Sequence, residues 1–320
     1  MCGRLLPSNI RTRSQSNFPV EVHVKRFLLT AACLLALGAQ AKVSVIATIS
    51  DLGALAREAG GEHVSVQVIS KPTQDPHFVD ARPNLIIQMS NAELLIHAGM
   101  DLEAGWLPTL LSSSRNGKIQ VGSPGNLNGA TLIRPLEVPQ QKIERAMGDI
   151  HPGGNPHYTK DPRNALLLVK GIANRLAELD PEHAEAYQAN AARFEKSIAA
   201  KEAEWLAALA PYKGQPIITF HRSWSYFANW SGLEVVAFLE PKPGLPPALA
   251  HVADVTMIAR QKKVKLVLQE SWYSAQFSRY VAEKSGARVV QVMGQTPEGQ
   301  SYEAYMSGLV AEVVKALSGT

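Results

Sequence analysis

Short β-branched runs alternate with longer amphipathic stretches along the chain from Lys42 onward. The pattern predicts parallel sheets with helices on their faces, because strands buried on both faces are continuously apolar and surface helices are not. In chain order, strands are predicted at 43–49, 64–69, 94–98, 118–121, 217–220, 233–238, 266–269 and 288–292. Helical stretches such as 275–285 separate them. The two halves of the chain therefore have the same layout and predict two α/β lobes.

One long helix is predicted between the halves. Asp180-Pro181-Glu182 has the features of a helix start: Asp as a cap, Pro in the first turn and Glu near the positive helix end. Apolar residues then keep helical spacing, and no Gly or Pro interrupts before Pro211. A helix over 180–211 would be about 45 Å long at roughly 1.5 Å per residue. The prediction is an α/β fold with lobes at 42–179 and 212–320, joined by a stiff helix that allows only slight relative motion.

The first 41 residues contain the ordered parts of an export signal. Lys25-Arg26 is followed by an apolar run over 27–37 and by Ala39-Gln40-Ala41, which predicts cleavage after Ala41. The run is shorter than the roughly 20 residues that span a bilayer, so a permanent anchor is the weaker interpretation. Residues 1–24 fit no signal region and are interpreted as a mis-assigned start, and lipid attachment at Cys33 is a weaker alternative. We therefore expect a periplasmic protein that is not inserted in the membrane.

The charge balance and the cysteines limit the possible partners. Of 32 basic and 28 acidic side chains, five basic and one acidic precede Lys42, which leaves 27 of each. A balanced body gives no clustered basic surface, so we expect no nucleic-acid partner. The cysteines, Cys2 and Cys33, both precede the predicted cleavage site. Any metal in the mature protein must therefore be bound by histidine and carboxylate.

Four side chains are candidates for metal binding, because open parallel sheets present ligands at the carboxyl ends of their strands. His221 and Glu270 directly follow predicted strands of the second half. His77 lies in the loop after the strand at 64–69, and His157 lies in a loop over 148–158 that is rich in Gly and Pro. Since each half contributes two of these residues, we expect the site to lie between the lobes.

Each candidate also has a structural interpretation. His77 and His157 could be surface residues, although the proline before each one restricts the backbone in a way that suits a rigid ligand. His221 could pack beside Trp224 and Tyr226 in the core. Glu270 could cap the following helix or orient a histidine instead of binding metal.

Four motifs then occur in a recognisable order: Asp75-Pro76-His77, Gly99-Met100-Asp101-Leu102-Glu103, Asn155-Pro156-His157-Tyr158 and Thr219-Phe220-His221. In this, the chain resembles the periplasmic binding proteins of zinc and manganese ABC transporters, the long-helix class (cluster A-I) of solute-binding proteins. The resemblance covers the whole mature chain. It implies two lobes joined by a long helix, metal ligands at His77, His157 and His221, and delivery of the metal to the membrane permease of an ABC importer.

The chain departs from that family in two places. Members usually bring an aspartate as fourth ligand from the loop after the last strand, whereas here no acid occurs over 289–297 and Glu298 is the first. Glu270 is the predicted substitute, with His151, Glu298 or a water as alternatives. Many zinc-specific members also carry a histidine-rich loop between the first two ligand histidines, and 132–150 contains none.

Three imidazoles and one carboxylate at about 2.0 to 2.2 Å form a tetrahedral site that suits Zn²⁺, whereas Mn²⁺ prefers more oxygen ligands. We therefore predict a monomeric, non-enzymatic protein that captures zinc, and we hypothesise that docking on the permease loosens His221 or Glu270 relative to His77 and His157. A zinc hydrolase is the main alternative, although no H-E-x-x-H motif occurs. The second is a binding protein for an organic solute, with a stacking pocket formed by Trp224, Tyr226, Trp272 and Tyr273.

Overall fold

The computed structural model describes residue 3 and residues 42–140, 151–242 and 244–319. Contacts divide the chain into two units, Met1–Ala41 and Lys42–Thr320. The predicted export signal, Cys2 and Cys33 lie outside the described residues, and the fold below is that of the second unit. Within the described part of the chain, no helix is both long and apolar enough to cross a membrane.

Two four-stranded sheets form the framework of the described residues. Their strands are β1 Val43–Ala47, β2 Val64–Val68, β3 Leu94–His97, β4 Asn126–Asn128, β5 Pro216–Thr219, β6 Glu234–Phe238, β7 Leu266–Glu270 and β8 Arg288–Val292. All neighbouring strands are parallel. The strand orders, β2-β1-β3-β4 and β6-β5-β7-β8, are the same in the two sheets.

Helices pack against both sheets, as expected for strands buried on two faces. The helices of the described residues are α1 Ser50–Gly60, α2 Pro83–Ser90, α3 Leu107–Ser114, α4 Pro162–Leu179, α5 Ala184–Leu209, α6 Ser225–Ser231, α7 Leu249–Gln261, α8 Gln276–Ser285 and α9 Tyr302–Ser318. The predicted fold class, two parallel sheets flanked by helices and joined by one long helix, is confirmed.

The long helix α5 has 26 residues and is about 39 Å long at 1.5 Å per residue. It packs on α1 and α4, which flank the first sheet, and also on α9 at the end of the chain. Short 3₁₀ turns, Pro181–His183 and Ala210–Tyr212, extend it at both ends. The predicted division into lobes at 42–179 and 212–320 around a helix at 180–211 stays a prediction.

The start of this helix differs from the expected cap. The Asp180 carboxylate caps no backbone N–H. Its Oδ2 instead accepts a hydrogen bond from the Tyr187 hydroxyl at 2.6 Å and lies 2.7 Å from Nδ1 of His183. The predicted helix is therefore present, but its first turn is held by side-chain contacts.

The predicted strand at 118–121 is wrong. The Asn116 side chain accepts a hydrogen bond from the backbone N–H of Lys118 at 3.0 Å, which turns the chain into a 3₁₀ segment over Gly117–Ile119. The edge strand is instead β4, where Leu127 is the one apolar residue among three. Such a short and mostly polar strand leaves no hydrophobic run in the sequence.

The shared strand order determines where a ligand can bind. In the second sheet the chain leaves β5 toward β6 on one side, and β7 lies on the other side of β5. Such a reversal of strand order opens a crevice at the carboxyl ends of the two central strands. His221 lies two residues beyond β5, and Glu270 is the last residue of β7.

Candidate metal centre

Three imidazoles from distant parts of the chain meet at this crevice. One ring nitrogen from each of His77, His157 and His221 lies within 4.8 Å of the other two. The ring centroids are 5.1 to 5.4 Å apart, and Nε2 of His157 is 3.1 Å from Nε2 of His221. Two ligands of a tetrahedral zinc ion with bonds of 2.0 to 2.1 Å would be separated by about 3.3 Å. The spacing is therefore close to what a single ion requires, while the role of these residues as metal ligands stays a prediction.

The same local turn presents two of the three histidines. In Asp75-Pro76-His77, Oδ1 of the aspartate accepts a hydrogen bond from the His77 backbone N–H at 3.0 Å. In Asn155-Pro156-His157, Oδ1 of the asparagine accepts one from the His157 N–H at 2.9 Å. An Asx side chain that bonds the backbone two residues on replaces regular structure with a fixed turn, and the intervening proline restricts φ.

A carboxylate orients His77. Oδ1 of Asp75 lies 2.7 Å from Nδ1 of His77, and Oδ2 accepts a hydrogen bond from the Tyr273 hydroxyl at 3.0 Å. Burial alone would raise the pKa of Asp75, but the hydrogen bonds and charge of His77 outweigh it and the pKa is lowered. The ionised carboxylate keeps a hydrogen on Nδ1, so that Nε2 presents its lone pair to the centre of the site.

His221 has a carboxylate partner of its own. Its Nδ1 is hydrogen-bonded to Oε2 of Glu240, and both side chains are buried. Burial alone would lower the pKa of His221, but Glu240, with smaller contributions from Glu270 and Asp75, raises it. For His157 the balance is opposite, because burial and the neighbouring cations, His221 first, hold its pKa well below the usual histidine range.

Glu270 is a buried carboxylate that lacks a donor. It is 0 % exposed, and neither of its oxygens has a hydrogen-bond partner among the described residues. Burial raises the pKa of Glu270. The charge of His221 and the nearby Ser223 hydroxyl oppose this rise, although the hydroxyl does not meet hydrogen-bond geometry with either Glu270 oxygen. A buried charged group without a partner is costly, so this environment suits a carboxylate that binds a cation. Glu270 is not within the tight group of three imidazoles, and its role as fourth ligand stays a prediction.

The other sequence candidates occupy different positions. His151 touches the group from outside, with its Nε2 3.2 Å from Nε2 of His77. Glu298 is exposed and is not part of the group. Trp224 and Tyr226 are 0 % and 2 % exposed and lie in the hydrophobic core.

A buried ion pair includes Lys160, which lies three residues after His157. Nζ of Lys160 is 2.6 Å from Oδ2 of Asp51, and both side chains are almost fully buried. The other oxygen, Oδ1, accepts hydrogen bonds from the backbone N–H of Thr296 at 2.6 Å and from its hydroxyl at 2.8 Å. Burial alone would raise the pKa of Asp51, but Lys160 and these donors lower it. The pair joins the His157 loop, the start of α1 and the loop after β8.

Asp75 and Glu240 are functional residues for which no role was predicted. Asp75 was visible in the Asp-Pro-His motif, and its position two residues before a histidine is the signal of a turn that also reaches the ring. Glu240 follows β6 at the same sheet edge that presents His221. A carboxylate just beyond a strand end is therefore the signal in the sequence that could identify Glu240.

Comparison with known proteins agrees with this geometry. The sequence model of the family described as "Zinc-uptake complex component A periplasmic" matches residues 45–316. The chain belongs to this family. The predicted resemblance to the periplasmic metal-binding proteins of ABC transporters is thereby confirmed, and the protein is a periplasmic solute-binding component of metal uptake.

Relatives of the family bind different metals according to their names. The iron-binding protein YfeA of Yersinia pestis is 28 % identical over 253 residues, which cover 77 % of this chain and 75 % of YfeA. The high-affinity zinc uptake protein ZnuA of Paracoccus denitrificans is 27 % identical over 328 residues, covering 91 % of this chain and 95 % of that protein. A crystal structure of ZnuA matches with a TM-score of 0.72 and 24 % identity over 86 % of this chain and 98 % of that one, a likeness that shows the fold.

Proposed function

We propose that this protein captures a single Zn²⁺ ion in the crevice and delivers it to the permease of an ABC importer. The proposal rests on the meeting of three imidazole nitrogens within 4.8 Å beside a buried carboxylate that no donor satisfies. Three imidazoles and a carboxylate are a ligand set that tetrahedral zinc accepts readily. The half-buried carboxylate of Asp75 and the buried carboxylate of Glu240 would hold two of the imidazoles in the tautomer that coordinates through Nε2.

Zinc is proposed over manganese because nitrogen predominates in the ligand set. Manganese sites favour oxygen, whereas imidazole suits zinc, copper, iron and nickel. The names of the relatives include both zinc and iron, and one structural neighbour, the solute-binding protein FpvC of Pseudomonas aeruginosa, is described in complex with Mn²⁺. The proposal of zinc for this chain therefore rests on the types of ligand in the site.

Glu270 is proposed as the fourth ligand. Its two oxygens are buried and without hydrogen-bond partners, and its charge interacts with that of His221. His151 already has a contact on the outer side of His77, and Glu298 is exposed. An ion held by Glu270 would neutralise a carboxylate that otherwise has no counterpart.

We also propose that the protein is not an enzyme. A catalytic zinc keeps an open position for water, which Glu270 would occupy here. The organic-solute alternative loses support because Trp224 and Tyr226 are core residues and the Tyr226 hydroxyl binds backbone groups of Leu136 and Asn155. We propose that the protein works as an exported monomer, cleaved after Ala41. Intact-mass analysis and light scattering of periplasmic material would test this.

Elemental analysis tests the main proposal. Protein purified without chelators should contain one zinc per chain, and His77→Ala, His157→Ala and His221→Ala should each lose it. His97→Ala is the matched control, because that ring bonds Asn126 away from the site and lies outside the group of three. A wild-type protein without bound metal, or zinc retained in all three variants, would refute the proposal, provided that circular dichroism shows each variant folded.

A further inference from the structure

A second pair of histidine nitrogens faces the metal centre from its outer side. Nε2 of His151 lies 3.2 Å from Nε2 of His77, and the two rings are stacked with their centroids 5.3 Å apart. The two ligands of one zinc ion would be separated by about 3.3 Å. These two nitrogens therefore have the spacing of adjacent ligands of one ion, although His151 does not belong to the group of three.

This outer pair lines a cavity that the inner histidines do not line. The cavity has a volume of about 620 Å³, and the polar side chains around it include His77, His151, Asp80 and Asp101. His157 and His221 do not line it. An ion arriving through this cavity would therefore meet the outer pair before the inner pair, with His77 common to both.

His151 is held in place on both sides. Its backbone carbonyl accepts a hydrogen bond from Gly154 N–H at 3.1 Å, which closes a turn with Pro152 in the position that turns favour. Its ring faces the backbone of Met100, in a segment where Met100 and Asp101 both have left-handed backbone conformations. Non-glycine residues adopt such conformations at a cost, and they persist where the surrounding structure enforces them.

The buried carboxylate of Glu103 enforces that segment. It accepts hydrogen bonds from the backbone N–H of Ala98 at 2.7 Å and of Gly99 at 3.1 Å, and from the Thr48 hydroxyl at 2.6 Å. The strained turn lies at the carboxyl end of β3. The framework of the first sheet therefore fixes the wall against which the His151 ring rests.

A metal ion can take the place of the contact between Nε2 of His77 and Nε2 of His151. Asp75 holds the hydrogen of His77 on Nδ1, so Nε2 of His77 has a lone pair, and the tautomer of His151 decides whether its own Nε2 donates a hydrogen to it. A neutral imidazole can carry its hydrogen on Nδ1 instead, which frees the lone pair on Nε2 of His151 without a change in net charge. Both nitrogens can then bind the same ion.

We propose that His151 and His77 form a transient metal-binding pair, the access pair, which receives Zn²⁺ from the cavity and passes it to His157 and His221. This rests on the proposed function. In the fully bound state His77 keeps the ion, while His151 has released it. His151 would therefore act on the path to the site and contribute little to the final affinity.

The test is the kinetics of zinc exchange in His151→Gln, measured by stopped flow against a chromophoric chelator. A group that lowers only the barrier speeds binding and release equally. The association and dissociation rate constants should therefore both fall by roughly tenfold, the low end of the effect of losing a group beside a metal ligand. The Kd and the content of one zinc per chain should be unchanged, and His97→Gln should behave as wild type.

The opposite outcomes are distinct. An unchanged association rate would overturn the proposal, and a higher Kd caused by faster dissociation alone would make His151 a ligand of the final site. Rapid mixing with Co²⁺ gives a second readout, in which the wild type should show two spectral phases and His151→Gln one. If His151→Gln is misfolded in chelator, the number of phases in the wild type decides, and a single phase refutes the access pair. A wild-type protein that binds no metal would refute the proposed function instead.

Discussion

Replacement of Glu270 by glutamine should change stability and metal affinity in opposite directions. Without metal, the wild-type protein buries a carboxylate that has no hydrogen-bond partner and whose pKa is raised by burial. A group whose pKa is raised on folding binds protons more tightly in the folded state. For a carboxylate this lowers stability as pH rises, so that the full cost is present at neutral pH.

The magnitudes follow from the burial of this side chain. An unsatisfied buried polar group costs about 1 to 3 kcal/mol, and more when it is charged. Glu270→Gln keeps the shape and removes the charge, so the metal-free variant should be more stable by about 1 kcal/mol or more at pH 7. The gain should shrink at pH 4, where the wild-type carboxyl group is protonated. Zinc affinity should fall by about 100-fold, or roughly 2.7 kcal/mol, because an anionic ligand is replaced by a neutral amide.

Two measurements check this prediction. Urea unfolding in the presence of chelator gives the stability of the metal-free protein, and competition with a chromophoric chelator gives the Kd. Glu298→Gln is the matched control, because it makes the same chemical change on an exposed loop. Unchanged zinc affinity in Glu270→Gln would exclude Glu270 as a ligand. A less stable metal-free variant would show that the carboxylate has a partner in the folded protein.

Three further results are expected. Glu240→Gln should weaken zinc binding by about 10- to 100-fold in the same competition assay, because it removes the charged acceptor of His221 Nδ1, and normal affinity would refute the orienting role. Lys160→Met should cost about 3 to 5 kcal/mol in urea unfolding at pH 7, because it leaves the buried Asp51 charge unpaired. Because the pKa of Asp51 is lowered on folding, its pair with Lys160 stabilises the protein above the ordinary aspartate pKa. The loss of stability in Lys160→Met should therefore diminish as pH falls through the pKa of Asp51 in the folded protein, and a pH-independent loss would contradict this. Zinc affinity should weaken as pH falls from neutral, because the raised pKa of His221 lets protons compete with zinc for its ring nitrogen at a higher pH than for an ordinary histidine. A constant Kd between pH 7.5 and 5.5 would refute that competition.

The strands, the long helix and the positions of the strand ends could be predicted from the sequence, because they depend on the periodicity of apolar residues and on their order along the chain. Strand β8 was predicted at its observed bounds, and β1, β2 and β7 within two residues, because these strands are short runs rich in β-branched and other apolar residues. The strand-end rule then identified the positions of His221 and Glu270. The failure at 118–121 arose because a single side chain, Asn116, diverted the chain into a turn.

Side-chain partners could not be predicted in the same way. Asp51 and Lys160 are 109 residues apart, and Glu240 meets His221 because β5 and β6 are neighbouring strands of one sheet. Such contacts depend on how elements pack in three dimensions, which leaves no periodic signal along the chain. The position of His151 outside the group of three likewise depends on a turn at Met100 and Asp101 whose left-handed backbone the sequence does not indicate.

The hydrogen bonds that join the two halves of the chain at the site also affect how an ion could leave it. The sequence-based hypothesis grouped His77 with His157 and separated both from His221. The hydrogen bonds favour a different grouping, because Asn155, which holds the His157 turn, also donates to the Arg222 carbonyl at 2.9 Å and accepts from the Tyr226 hydroxyl at 3.0 Å.

His157 is therefore tied to the segment that carries His221 as well as, through Lys160 and Asp51, to α1. The Asp75-His77 unit is joined to the second half by the Tyr273 hydroxyl at 3.0 Å. The long helix α5 and the Asp51–Thr296 bonds restrict wide opening of the two sheets. A small displacement that breaks the contact between Tyr273 and Asp75 would move His77 away from the other two imidazoles. We infer that His77, the residue shared with His151, is the ligand whose movement loosens the ion.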